Sequence, residues 1–164
     1  MTPRERARRI ASYGSAHALL VEALKGFPRE MWQARTPVDP WTIHEIVVHI
    51  TDSEANSYAR CRRLIAEPGT TVMAYDENAW AGALRYHDQN AGDALELFRW
   101  LRRMSTHLIQ SLPEAIWTHT IEHPENGTMT MEDWLDVYER HIPEHLAQMQ
   151  AVYEDWLKQQ VEGR

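Results

Sequence analysis

The sequence predicts an all-α fold, a four-helix bundle. Three observations lead there. Four long stretches carry apolar residues at helical spacing, capping signatures open several of them, and a connection of about 20 residues, Glu67 to Gln89, separates the second from the third. The chain has 164 residues with 17 Lys+Arg against 24 Asp+Glu, a net charge of −7. That length suits a single domain spanning residues 1–164. The acidic balance excludes a general nucleic-acid binder, which needs a basic surface. The single cysteine, Cys61, excludes an internal disulfide and any multi-cysteine metal site. No apolar run is long enough to span a bilayer, so a cytoplasmic protein with no membrane partner is expected.

The first helix opens at Thr2-Pro3-Arg4-Glu5, a capping box with proline at its first position, and ends at Gly26-Phe27-Pro28. Ile10, Tyr13, Leu20 and Leu24 form its apolar stripe. Arg4, Arg6, Arg8 and Arg9 read as a solvated face. The second helix starts at Thr42, with Glu45 to complete the cap and Trp41 to staple against Ile46. Its stripe is Ile43, Ile46, Val47, Ile50, Tyr58, Cys61 and Ile65, and Pro68-Gly69 ends it. Cys61 reads as packing on that stripe rather than as a nucleophile. The third helix runs from about Asn90 to Leu112, with Leu97, Phe98, Leu101, Met104 and Leu108 inward. The fourth starts at Thr130, capped with Asp133 and stapled by Met129 to Trp134. It continues through Leu135, Tyr138, Ile142, Leu146, Met149, Val152 and Trp156 to about Gln160.

Four such stripes hide from water by facing one another. The long second connection lets helices two and three run parallel. The third connection, Trp117 to Gly127, alternates and then reaches Asn126-Gly127, which predicts a short extended piece and a tight turn rather than a fifth helix.

Nine histidines are many for this length. His141 and His145, four residues apart on the fourth helix, present two imidazoles to one side, the geometry that serves a shared metal. Core histidines, each bonded to a neighbour, are the alternative. His49 is the best candidate for a third ligand. It borders the stripe of helix two and starts a polar strip continued by Ser53 and Asn56. Asp52 either orients an imidazole or a water there or is an exposed surface acid. Glu144 either acts as a general base or sits on a solvated face. His17 reads as a hydrogen-bonded core residue. His44, His87, His107, His119 and His123 are weaker ligand candidates.

Several elements together resemble the DinB-like superfamily of metalloenzymes, and its YfiT branch most. They are Trp41 followed by His49-x-x-Asp52-Ser53, Tyr75-Asp76-Glu77-Asn78-Ala79-Trp80, His123-Pro124-Glu125-x-Gly127, and Tyr138-x-x-His141-x-x-x-His145-Leu146-Ala147. The resemblance implies an up-down-down-up bundle with a long crossover between helices two and three. It also implies a divalent metal ion, nickel or zinc, held by His49, His141 and His145. The activities it implies are metal-dependent hydrolysis and thiol S-transfer, the latter with bacillithiol, mycothiol or glutathione as cosubstrate. Two departures accompany it. Gln148 stands where the branch often has another histidine, and Pro143 falls between the two ligands of helix four, where it should kink the helix.

Three imidazoles leave at least one coordination position open, as in catalytic zinc sites. A thiol bound there would react as thiolate with a small electrophile, making a thiol transferase; a bound water would make a hydrolase. Tyr75, Asp76 and Trp80 either shape the substrate pocket or pack the loop. The contrasting expectation is a metal-binding bundle without turnover, pairing as a homodimer through its tryptophan-rich surface.

Overall fold

Four capping side chains set where the long helices begin in the computed structural model, which describes residues 1–162. The last two residues of the expected domain, 163 and 164, lie outside the described residues. Thr2 accepts the Glu5 N–H and opens α1, Pro3–Leu24. Thr42 and Glu45 bond reciprocally, at 3.2 and 2.8 Å, and open α2, Ile43–Ala66. Asn90 takes the Gly92 and Asp93 N–H groups at the head of α4, Ala91–Ile109. Thr130 and Asp133 open α5, Met131–Glu162, in the same reciprocal way. The cap of α2 matters for function, because that helix carries His49 in its second turn. Thr42 is fully buried, so Thr42→Ala leaves helix N–H groups unbonded away from water. A loss of about 1–2 kcal/mol in urea unfolding is expected, and a loss below 0.3 would contradict it.

Side-chain pairs give the helix directions. Arg6 meets Glu132 and Phe27 meets Tyr153, so α1 and α5 run parallel. Thr51 bonds the Ala94 carbonyl and Arg62 bonds Ser105, so α2 and α4 run parallel. Ser53 lies by His141, and Trp134 donates to the Ser57 carbonyl, so α2 and α5 are antiparallel. The bundle is therefore wound up-down-down-up, with α1 packed on α4 and α5, and α2 packed on the same two.

Parallel neighbours need a return strap, and residues 67–89 provide it. The strap is more ordered than its polar composition suggests: Asp76 caps a short helix α3, Glu77–Ala83, and a 3-10 turn follows at Tyr86–Asp88. The third connection forms an antiparallel hairpin, β1 (Thr120–His123) with β2 (Gly127–Thr130), pairing His123 with Gly127 and Thr120 with Thr130. Gly127 has φ +69°, the left-handed conformation that lets the chain turn into β2. Val72 donates to the Glu122 carbonyl and Glu122 donates to that of Thr70. The start of the strap is thus stitched to the hairpin's edge, on the same side of the bundle.

Two expectations about helix faces need correction. On α4, Leu97 and Met104 are half exposed; the inward face is Ala94, Phe98, Arg102, Ser105 and Ile109. The helix is rotated so that Arg102, 1% exposed, enters the core. Its guanidinium donates to Glu54 at 2.6 Å and to the backbone carbonyls of Tyr13 and Tyr138. A periodicity count scores arginine as polar, so it misplaces the stripe. The α1 arginines are likewise not all solvated. Arg6 is buried between Glu114 and Glu132, and Arg9 pairs with Asp136 and Glu139. His17 is half-buried against the Phe98 ring, 6.0 Å between centroids, with no hydrogen-bond partner among the described residues.

The core has two apolar clusters. One gathers Leu20, Met31, Trp32, Ile46, Phe98 and Met149; the other gathers Tyr13, Cys61, Leu64, Trp134, Leu135 and Tyr138. Burial pushes the Cys61 thiol up to about 12, which keeps it protonated and inert. No helix among the described residues is long and apolar enough to cross a membrane.

Candidate metal centre

His49 sits on the inner face of α2, 1% exposed, with its ring 4.6 Å from that of Trp41. From the antiparallel α5, one turn apart, His141 and His145 face it. Their ring centroids are 5.7 and 4.9 Å from His49 and 4.4 Å from each other. One nitrogen from each of the three rings lies within 4.8 Å of the other two. Two distant parts of the chain therefore bring three imidazoles to one point. Pro143, between the two α5 histidines, lies on the exposed side, and the helix continues past it.

Hydrogen bonding settles the tautomer of His145. Gln148 donates its amide to the Asp39 carboxylate at 2.9 Å, which can only accept. Its carbonyl oxygen is then turned to His145 Nδ1, 2.7 Å away, so Nδ1 carries the proton and Nε2 holds a lone pair. That lone pair points at His141 Nε2, 3.0 Å off. Two lone pairs so close repel unless a proton or a cation lies between them. At zinc–nitrogen distances of about 2.0–2.1 Å, tetrahedral geometry holds ligand nitrogens roughly 3.4 Å apart, close to this spacing. His49 Nδ1 and His141 Nδ1 are buried with no hydrogen-bond partner. The donor set, three converging imidazoles with the His145 Nε2 lone pair turned inward, fits a divalent ion that accepts neutral nitrogen ligands.

Electrostatics supports the neutral forms. Burial, reinforced by His145, lowers the His49 pKa to about 3. Burial also holds His141 well below the ordinary imidazole value, with both neighbouring rings adding to the effect. His145 is lowered by burial, against the opposing pull of the Gln148 bond. Neutral imidazole is the form that ligates.

A cavity of about 160 Å³ adjoins the trio. Ser53, Tyr75, Tyr138 and His141 line it, along with His123 from the hairpin and Arg60 one turn beyond Asn56. Two larger cavities, about 350 and 400 Å³, lie between α1 and α4 and contain none of the three histidines. The other expected residues are placed as follows. Asp52 accepts the Tyr86 hydroxyl at 2.6 Å. Glu144 is exposed and paired with Arg140. Tyr75 and Trp80 pack at a tilt on the strap, their ring centroids 4.3 Å apart, with Tyr75 in the cavity wall. Asp76 is spent as the α3 cap.

Sequence reasoning gave no role to Glu77, whose carboxylate is 3.9 Å from His49 Nε2. Its only signal was an acid in the first turn after a capping aspartate, a placement the helix dipole explains without any site. Arg60 was also missed, though a signal existed: it extends the strip His49, Ser53, Asn56 by another turn. His123 entered the wall because Glu125 and Asn126 donate their backbone N–H groups to its Nδ1, turning the ring inward from the hairpin loop.

The DinB superfamily model matches residues 13–149. The chain belongs to the DinB superfamily. A curated relative from Oceanobacillus iheyensis, named "Putative metal-dependent hydrolase", is 28% identical over 118 residues, 71% of this chain and 68% of its own. YfiT of Bacillus subtilis, of the same name, is 29% identical over 108 residues, 65% of this chain and 61% of its own. The solved YfiT structure, described as a probable metal-dependent hydrolase with an unusual four-helix bundle topology, superimposes with a TM-score of 0.85 at 23% identity. It covers 93% of this DinB chain and 87% of YfiT. A mycothiol-dependent maleylpyruvate isomerase shares the fold at a TM-score of 0.71 and 12% identity, over 91% of this chain and 63% of its own.

Proposed function

We propose that this DinB protein is a divalent-metal enzyme that transfers a small thiol to an electrophile, with His49, His141 and His145 as metal ligands. The convergence of three neutral imidazoles beside a small cavity carries the reading. The names of its relatives support metal dependence, and an isomerase of the same fold depends on a thiol, mycothiol. An all-imidazole donor set suits zinc or nickel. Such an ion would hold a thiol as its more nucleophilic thiolate.

The chain's own residues supply the rest. Gln148, held by Asp39, keeps the His145 lone pair turned toward the trio. Trp41 packs against the His49 ring and shields that side from water. Ser53 stands 3.3 Å from His141 Nε2 and can hold a proton near the cavity floor. Of the carboxylates Glu77, Asp52 and Glu144, Glu77 closely approaches a proposed ligand, 3.9 Å from His49 Nε2. Hydrolysis is the second reading, favoured by the relatives' names.

Metal analysis of the purified protein tests the proposal. About one ion per chain is expected in wild type and less than a tenth of that in His49→Ala and His141→Ala. Equal trace contents in all three would refute it. A panel of thiols with monochlorobimane then separates the readings, since turnover without added thiol favours the hydrolase.

A further inference from the structure

The structure assigns the cavity beside the three histidines to a neutral, carbonyl-bearing electrophile, held through its oxygen by the protons of Tyr138, Tyr75 and His123. This deepens the reading above and rests on it for the place of the electrophile next to the trio.

Tyr138 Oη receives an Arg60 N–H at 2.9 Å, so its lone pair is occupied and its own proton has no acceptor among the described residues. The charge behind it makes that phenol a stronger donor. His123 is 6% exposed, and its Nδ1 accepts two backbone N–H groups, at 3.2 and 3.3 Å. The neutral ring must then carry its proton on Nε2, which has no partner among the described residues. Tyr75 Oη is buried without a well-formed hydrogen bond. Ser53 is near enough to ease ionisation of this phenol, but no hydrogen bond joins them, and the Ser53 hydroxyl also lies 3.3 Å from His141 Nε2. Three donors thus line one small space with their protons unspent. A buried donor left unpaired, as Tyr75 Oη is, is costly, and the other two have protons free to join it, so the natural occupant supplies acceptor oxygen.

Charge selects the kind of oxygen. Glu77 and Glu125 also line the cavity, and both are exposed. Against them stands one guanidinium, Arg60, already engaged by Tyr138 and by the Met73 carbonyl. Two carboxylates against one guanidinium leave the cavity lining net negative by one charge, which disfavours entry of an anion. A neutral carbonyl oxygen meets the donors without that repulsion. At about 160 Å³ the space is well below the roughly 300 Å³ at which pockets begin to hold drug-sized ligands, so it admits only a small acyl or carbonyl group.

Probes that differ in charge test this: dimethylformamide, acetate and methylammonium, titrated into the purified full chain and followed by nitrogen-15 NMR. Dimethylformamide should bind best and shift the His123 Nε2–H resonance. Tyr138→Phe and Tyr75→Phe should each weaken it about two- to tenfold, the value of one lost hydrogen bond. Thermal unfolding of both variants checks that the fold persists. Tighter binding of acetate or methylammonium, or indifference of dimethylformamide to both phenols, would overturn the assignment. Metal content is measured on the same samples. A chain that holds no ion yet binds dimethylformamide through these donors refutes the metal reading alone; a loaded chain indifferent to the phenol changes refutes this inference alone.

Discussion

Replacing Arg102 with methionine is expected to cost about 3–5 kcal/mol of folding free energy, a large part of the 5–15 typical of a domain. Arg102 and Glu54 are 1% and 0% exposed, at 2.6 Å, with Tyr13 Oη donating to the second carboxylate oxygen. The pair is satisfied on nearly every atom, so removing one member strands the other. Burial already raises the Glu54 pKa, and Arg102 opposes that rise. Without the arginine the carboxyl takes up a proton or draws in water, and either exacts most of the penalty. The double variant Arg102→Met with Glu54→Leu removes both charges and should recover at least half of the loss. Urea unfolding of the single and double variants checks this. A single-variant loss under 1 kcal/mol would mean that the pair contributes little. The same network anchors Tyr138 through its carbonyl, so partial disorder at Arg102 should also loosen the cavity wall.

The second large effect is on acid stability. In the unfolded chain the trio titrates near 6.5. In the fold His49 lies near 3, with His141 and His145 also lowered. Between those limits the unfolded state binds more protons, so stability rises with pH there and is lost as pH falls from about 6.5 toward 3. Above pH 7 the three rings contribute no slope. Each proton taken up only on unfolding contributes about 1.4 kcal/mol per pH unit, so the trio supplies up to about 4 near pH 5. Chelator-treated protein should show this slope between pH 6.5 and 5, above the range of the lowered carboxylates Glu132 and Asp136. His17 and His123, also lowered by burial, add to it; His49→Gln should flatten it by up to about 1.4 kcal/mol per pH unit, the share of one proton. A bound divalent ion competes with the same protons, so retention should fall through the same window. Identical slopes in wild type and His49→Gln would contradict the account.

How far the sequence reached follows from what each residue's signal was. Helix starts were legible because Thr2, Thr42 and Thr130 announce themselves chemically. The parallel pair was legible because a link of that length has few other uses. The α4 face was misread at Arg102, since a buried charge looks like a surface one until its partner on another helix is seen. His49 and the α5 pair could be nominated from spacing, but their meeting depends on the register of two antiparallel helices far apart in the chain. Glu77 and the unspent proton of His123 were out of reach, because a cap and a hairpin loop account for those residues locally.

The strap joining α2 to α4 exists because side-by-side parallel helices demand it, yet it also roofs the cavity beside the three histidines with Tyr75 and Glu77. Bundle and roof are thus separable inheritances. Substitutions at Tyr75 and Glu77, which belong to neither apolar cluster, leave the helix-to-helix packing intact while redrawing the space beside the imidazoles, whereas Tyr86, fully buried, ties the same strap to the core; a lineage could diversify what that space accepts over an unchanged scaffold.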